Sequence, residues 1–338
     1  MGIAIISHPD CLLHNMGEHL EHPDRIRVTQ KALDNASFAS ALIYHEAPLA
    51  TREQLLQVHS EKYINQIFAS VPAQGFISLD PDTWMNPHTL SAALRAAGAG
   101  IHAVDLVLGK KADAAFCNVR PPGHHAEKSK AMGFCFFNNV AIAAAHALET
   151  HKLRRVAIID FDVHHGNGTQ DIFYNDNRVL FCSSFQYPFY PHSGVSKTNT
   201  NVINIPLSAG SDGTIFREKV QELWLQPLLE FKPDLIFFSA GFDAHEEESL
   251  ANLAFIDEDY GWVTKEIKNN RRSSLSGTHG VVIRRRVRAQ SIRALRGTAC
   301  QCHAEMIISL RGAANVFSFV IVCRLKHFFC HGKGFRSF

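Results

Sequence analysis

Short runs of β-branched and apolar residues alternate along the chain with longer segments whose apolar positions recur at helical spacing. Runs at residues 2–6, 114–117, 156–160, 179–183, 202–205 and 235–239 are candidate strands. VAIID and LIFFS are apolar throughout, the pattern of strands covered on both faces of a parallel sheet. Helical spacing predicts helices over 25–35, 52–58, 60–70, 89–108, 137–151, 168–174, 212–229 and 257–269. Ser60 and Asp212 stand where N-caps belong. This alternation predicts an α/β fold: a single domain with a parallel β-sheet flanked by helices.

Composition adds one surprise. The chain has 338 residues, 46% of them apolar, enough for one well-buried core. Its net charge of +2 hides an asymmetry. Residues 1–270 carry a net −10, whereas residues 271–338 carry a net +12 with Glu305 as their single acid. The expected organisation is therefore a domain over 1–270 and a basic tail over 271–338. The start, MGIAIISHPD, lacks the basic and apolar regions of a signal peptide. The apolar stretch at 312–323 is too short to span a bilayer, so no membrane partner is expected. The eight cysteines show no paired metal spacing, which suits a reduced, cytoplasmic chain without a disulfide framework.

Polar residues concentrate in three loops that each follow a candidate strand: 118–130, 161–168 and 240–249. Ligands of open α/β sheets bind outside the carboxyl ends of strands. Asp162 and His164 are two residues apart, so in extended geometry they point the same way. With Asp243 they make two carboxylates and one imidazole, a donor set for zinc or iron that leaves a coordination position open. One such loop alone is as well read as capping and turn residues; three together point to a site. His124 and His125 lie in a loop fixed by two prolines and a glycine. They suit general-base chemistry, and equally a second metal or mere exposure. His14, His22, His45, His59, His88, His102, His146 and His151 show no ligand spacing and receive no role.

RPPGHHA (120–126), GFCFFNN (133–139), DFDVHHGNGTQ (160–170) and SAGFDAH (239–245) resemble the histone deacetylase superfamily. The pattern is most similar to bacterial class-II-like histone deacetylase-like amidohydrolases, and the resemblance covers about residues 5–270. It implies an arginase/deacetylase-like fold and zinc-dependent hydrolysis of an N-acetyl amide, on an acetylated lysine protein or an acetylated small amine. By resemblance, Asp162, His164 and Asp243 match the Zn²⁺ ligands, and His124 and His125 the catalytic histidine pair. Asp160 matches the partner of His124, and Asn167 that of His125. Phe134 and Tyr190 match the aromatic walls of the acyl-lysine tunnel. Asp82 matches the rim acid that holds substrate backbone, with Asp80 a competitor. Carbonyls around Asp160 to His164, with Ser183, resemble a K⁺ site.

The resemblance stops near residue 270. The family's oxyanion-stabilising tyrosine lies in a Gly-Gly-Tyr motif, which is missing here; no tyrosine follows Tyr260. His279 stands in the corresponding stretch without the motif around it. Lost resemblance and the shift to arginine at one place imply a frameshifted or replaced C-terminal part, a missing last strand and an exposed sheet edge. Two other functions compete with impaired hydrolysis: a non-catalytic acyl-lysine binder, and a disfavoured nucleic-acid role for the Arg284-Arg-Arg-Val-Arg run.

Overall fold

The strand Ile3–Ser7 (β1) sets the layering of the molecule. Ile3 and Ile5 are buried in one apolar cluster with Phe116, Ile159 and Phe238. Ala4 and Ile6 are buried in another with Cys117, Ile158 and Phe237. Successive side chains of a strand point to opposite faces, so both faces of the sheet are covered. That is why its strands read as unbroken apolar runs.

The computed structural model describes residues 2–196 and 199–270, and the backbone of Phe319–Arg324. After β1 come α1 (Asp10–Leu13), α2 (Asp24–Asp34), β2 (Leu42–Glu46), α3 (Arg52–Leu55) and α4 (Glu61–Ala69). A small hairpin, β3 (Ile77–Asp80) and β4 (Thr83–Met85), precedes the long α5 (Thr89–Leu108). Then follow β5 (Ala114–Cys117), α6 (Asn139–Glu149), β6 (Val156–Asp160), α7 (Asn167–Phe173), β7 (Val179–Gln186) and β8 (Val202–Leu207). The described chain ends with α8 (Gly213–Leu223), α9 (Leu225–Phe231), β9 (Leu235–Ala240), α10 (Asp257–Asn269) and β10 (Phe319–Arg324). The main sheet has the order β2-β1-β5-β10-β9-β6-β7-β8 and is parallel except at β10. The expected α/β class, with helices flanking a parallel sheet, is what is found.

Helices α5 and α6 cover one face, and α8, α9 and α10 the other. By length and composition α5 could cross a membrane, yet 67% of its apolar window is buried inside the protein, which makes it a core helix. A Cβ on Gly100 would lie 3.0 Å from the Ala143 Cβ, so α5 and α6 cross on small residues. Ser60 and Asp212 do cap α4 and α8, accepting from Tyr63 N and from Thr214 and Ile215 N.

Three departures from the sequence pattern have physical reasons. The helix expected over 212–229 is broken at Trp224 into α8 and α9. Pro227 has no N–H for the Leu223 carbonyl, and its ring crowds that turn. β2 is an edge strand whose half-exposed Leu42-Ile-Tyr-His-Glu shows no buried run. Finally, the slot between β5 and β9 is not an open edge: Phe319–Arg324 pairs with both, antiparallel. Unpaired ladders on two neighbouring strands are costly, and FVIVC is a β-branched, apolar run suited to fill them. Residues 271–318 and 325–338, including His279 and most of the expected tail, lie outside the described residues.

One buried histidine locks the scaffold behind the polar loops. His59 Nδ1 donates to the Glu127 carbonyl at 3.0 Å, and its Nε2 accepts from Asn138 N at 3.0 Å. Asn138 in turn caps α6. Burial holds the His59 pKa down to about 4. An unfolded chain titrates near about 6.5, so between those values it binds a proton that the native state refuses. Stability is therefore expected to fall as pH drops from about 6.5 to about 4, by up to about 3 kcal/mol from this residue. Urea unfolding across that range checks this, and His59→Gln should flatten the profile; an unchanged profile would refute it.

Candidate active site

The carboxyl ends of β5, β6 and β9 bring three loops together. β6 ends in Asp160, which is fully buried and sits opposite Ser239 of β9 in the ladder. Asp162 and His164 follow β6, and Asp243 follows β9. Their donor atoms, one per residue, all lie within 4.8 Å of one another. His164 Nδ1 is 2.9 Å from Asp162 Oδ1 and 3.0 Å from Asp243 Oδ2. Asp243 Oδ1 accepts from Val163 N at 2.9 Å, while its buried Oδ2 has no hydrogen bond of acceptable geometry. Gly241 is required beside them, because a Cβ there would lie 2.1 Å from Asp162 Oδ2.

Electrostatics make this triad a candidate cation site. Burial and the charge of Asp162 push Asp243 up to about 6. Burial opposes charge on His164, but its close pairing with the Asp162 and Asp243 carboxylates outweighs that and raises it to about 10. Burial also works against ionised Asp162, yet the neighbouring histidines hold it well below the usual carboxylate range. Two buried carboxylates thus stay tolerable by drawing a positive charge onto His164, a task a divalent cation would perform better.

The loop after β5 is anchored by Arg120, which donates to the Glu21 carboxylate and to the Cys11 carbonyl at 2.9 Å. Beyond it, His124 and His125 stand with ring centroids 4.0 Å apart. His124 Nδ1 bonds Asp160 Oδ2 at 3.0 Å. His125 Nδ1 lies 2.7 Å from Asn167 Oδ1, and Asn167 Nδ2 donates to Glu127 Oε1 at 2.8 Å. With the Asn167 amide oriented that way, His125 Nδ1 donates and its Nε2 keeps a lone pair. Burial, then the charges of His124 and His164, hold His125 well below its ordinary value. Burial opposes charge on His124 as well, but Asp160 and Asp162 win and raise it. The pair therefore presents one imidazole whose neutral form is favoured, His125, and one whose protonated form is favoured, His124.

A cavity of about 130 Å³ opens onto this chemistry, lined by Leu20, Asp82, Pro122, His124, His125, Gly133, Phe134, His164, Tyr190 and Leu250. The profile of the histone deacetylase domain matches residues 19–282. The chain belongs to the histone deacetylase family. An uncharacterized protein of Synechocystis is 40% identical over 269 residues, covering 78% of this chain and 88% of its own length. A histone deacetylase-like amidohydrolase of Pseudomonas aeruginosa is 35% identical over 258 residues, covering 74% of this chain and 68% of its own. The crystal structure of the HDA15 HD domain superposes with a TM-score of 0.75 at 30% identity, covering 80% of each chain. The fold is thus that of histone deacetylases, and the chain is a hydrolase of that family by homology.

All ten site residues expected from sequence lie in or directly behind the pocket of this histone deacetylase fold. Asp160 and Asn167 stand behind the histidines, and Asp162 and Asp243 beneath His164. Phe134 and Tyr190 line the cavity, and the Tyr190 hydroxyl is buried without a partner. Asp82 lines it too and accepts from Gly133 N at 3.1 Å, whereas Asp80 does not line it. Tyr260 is taken up elsewhere, donating to the Phe242 carbonyl from a buried position. Sequence reasoning missed Leu20, Phe189 (stacked on His164 at 5.2 Å), His19 (edge-on to Phe134 at 5.1 Å) and Glu127. Only Glu127 carried a signal, directly after the RPPGHHA motif.

Gly133 combines a left-handed backbone with a steric constraint on a catalytic ring. Its φ is +57°, and a Cβ would lie 2.3 Å from the His125 ring. Gly133→Ala is expected to displace His125 and lower kcat by about 10²-fold, since misplacing a catalytic group by ~1 Å costs that much. Steady-state kinetics with circular dichroism of the variant checks this; native-like kcat would refute it.

Proposed function

We propose that the chain hydrolyses the N-acyl amide of lysine or of a related small amine with zinc as cofactor, releasing acetate from an acetylated substrate. The observation that carries the reading is one pocket holding the Asp162, His164 and Asp243 donors beside a His125 whose neutral form is favoured and a His124 whose protonated form is favoured. The donor set fits zinc, and the buried Asp243 Oδ2, which pairs with His164 Nδ1 at 3.0 Å without a hydrogen bond of good geometry, is a carboxylate oxygen that a cation would take up. Bound zinc would supply Lewis-acid polarisation of the amide carbonyl and acidification of water. By the resemblance, a K⁺ ion would sit at the carbonyls around Asp160 to His164 and at Ser183, whose hydroxyl is buried without a hydrogen-bond partner.

His125 Nε2 takes the proton of the attacking water, whose oxygen bonds to the amide carbon. Asn167 fixes the ring for this by holding the Nδ1 proton. When the C–N bond breaks, its electron pair leaves with the nitrogen, which takes a proton from a protonated histidine; carboxylate and free amine result. Asp160 orients His124 through its Nδ1 and favours its protonated form. Phe134 and Tyr190 flank an apolar acyl-lysine chain and exclude water, and Asp82 stands at the rim. On this reading turnover is impaired, because the described residues offer no tyrosine equivalent to the family's oxyanion donor. The test is release of acetate from an acetyl-lysine peptide, and from acetylated small amines, by zinc-loaded protein. Zinc-dependent turnover is expected; no turnover with zinc bound would leave a non-catalytic acyl-lysine binder.

A further inference from the structure

Far from this pocket, at the opposite end of the sheet, a second set of metal-type donors converges. Asn139 opens α6 next to the catalytic loop, donating to the Pro121 carbonyl. His146 lies two turns further along α6, about 10 Å away along the axis. His151 follows just past the helix end, and Asp105 stands in the last turn of α5. The two His Nε2 atoms lie 2.8 and 2.7 Å from the same oxygen, Asp105 Oδ1. The rings meet at 82°, and the three donor atoms fall within 4.8 Å of one another. No spacing in sequence announces this, since Asp105 is 41 residues before His146.

We propose that Asp105, His146 and His151 form a second divalent transition-metal site, of the zinc class, that staples the end of α5 to the end of α6. Two imidazoles and a carboxylate are a zinc-type donor set with one position left for water. In a tetrahedral site with bonds of ~2.1 Å, ligand atoms stand roughly 3.3 Å apart, so about half an ångström of movement would seat the ion. His146 is buried and already held on its helix, while His151 and Asp105 are 29% and 47% exposed and leave the entry open. The competing occupant is a pair of imidazole protons, both donated to Asp105, with no affinity for metal.

The test uses untagged full-length protein, stripped of metal and dialysed against micromolar zinc, with metal content and melting temperature as readouts. It is run on Asp162→Asn, which removes one of the pocket's two carboxylate ligands, with and without His151→Ala. His151 is chosen because it is part-exposed and its loss leaves the core intact. Asp162→Asn is expected to hold zinc and melt higher with it. Adding His151→Ala should weaken that binding at least about tenfold and abolish the thermal shift, since losing even an indirect support of a ligand costs ~10–100-fold. Cys300, Cys302 and His303 could also take zinc, so dependence on His151 rather than the zinc count decides. Equal zinc uptake and equal melting with and without His151 would overturn the proposal. The proposed pocket chemistry is read separately, from wild type against Asp162→Asn.

Discussion

Asp162→Asn is expected to lower turnover of an acetyl-lysine peptide by about 10³-fold or more and to remove the zinc that depends on the pocket. Asp162 is fully buried, and its Oδ1 accepts from both His164 N and His164 Nδ1 at 2.9 Å. Asparagine keeps the volume and one acceptor oxygen, so the β6 loop retains its shape. What it loses is the negative charge that pairs with His164 and that a cation needs beside Asp243. Lewis-acid assistance supplies several kcal/mol of transition-state stabilisation, and each 1.36 kcal/mol is about tenfold in rate. The checks are acetate release and metal analysis of the same preparation, with circular dichroism to establish folding. A folded variant that keeps wild-type turnover would remove the metal from the mechanism.

Much of this site was legible because its chemistry is local in sequence. Asp162 and His164 lie two residues apart in the loop that follows β6, and His124 and His125 share one rigid loop. The strand ends were legible too, since VAIID and LIFFS are buried on both faces and carry no alternation to confuse them. What escaped depends on approach across the fold. Leu20 and His19 reach the pocket from a segment without periodic pattern, and Phe189 shows its role only by stacking on His164. The Asp105, His146 and His151 cluster was invisible for the same reason: its members meet only because α5 and α6 pack on small residues. β10 escaped because composition marks residues 271–338 as basic, while six apolar-rich residues among them complete a ladder.

The acyl group should discriminate more strongly than any pocket substitution short of the cation ligands. A trifluoroacetyl-lysine peptide is expected to turn over at least about 10²-fold faster than its acetyl counterpart, because one oxyanion donor is worth ~10²–10³ in kcat. Tyr260 is spent on the Phe242 carbonyl. Tyr190, the tyrosine on the pocket, is influenced by the Asp82 carboxylate more than by those of Asp162 and Asp243. A carbonyl already activated by fluorine needs less help from a donor. Intrinsic reactivity is cancelled by reading the ratio against hydroxide-catalysed hydrolysis of the same two peptides. An enzyme lacking the donor should give a ratio close to that of hydroxide, whereas a complete oxyanion site compresses it by about 10²–10³. A strongly compressed ratio with brisk acetyl turnover would mean that residues 271–338 supply the missing donor after all. Silence on both peptides, with zinc bound and the protein folded, would mean that the pocket grips an acyl-lysine without cutting it.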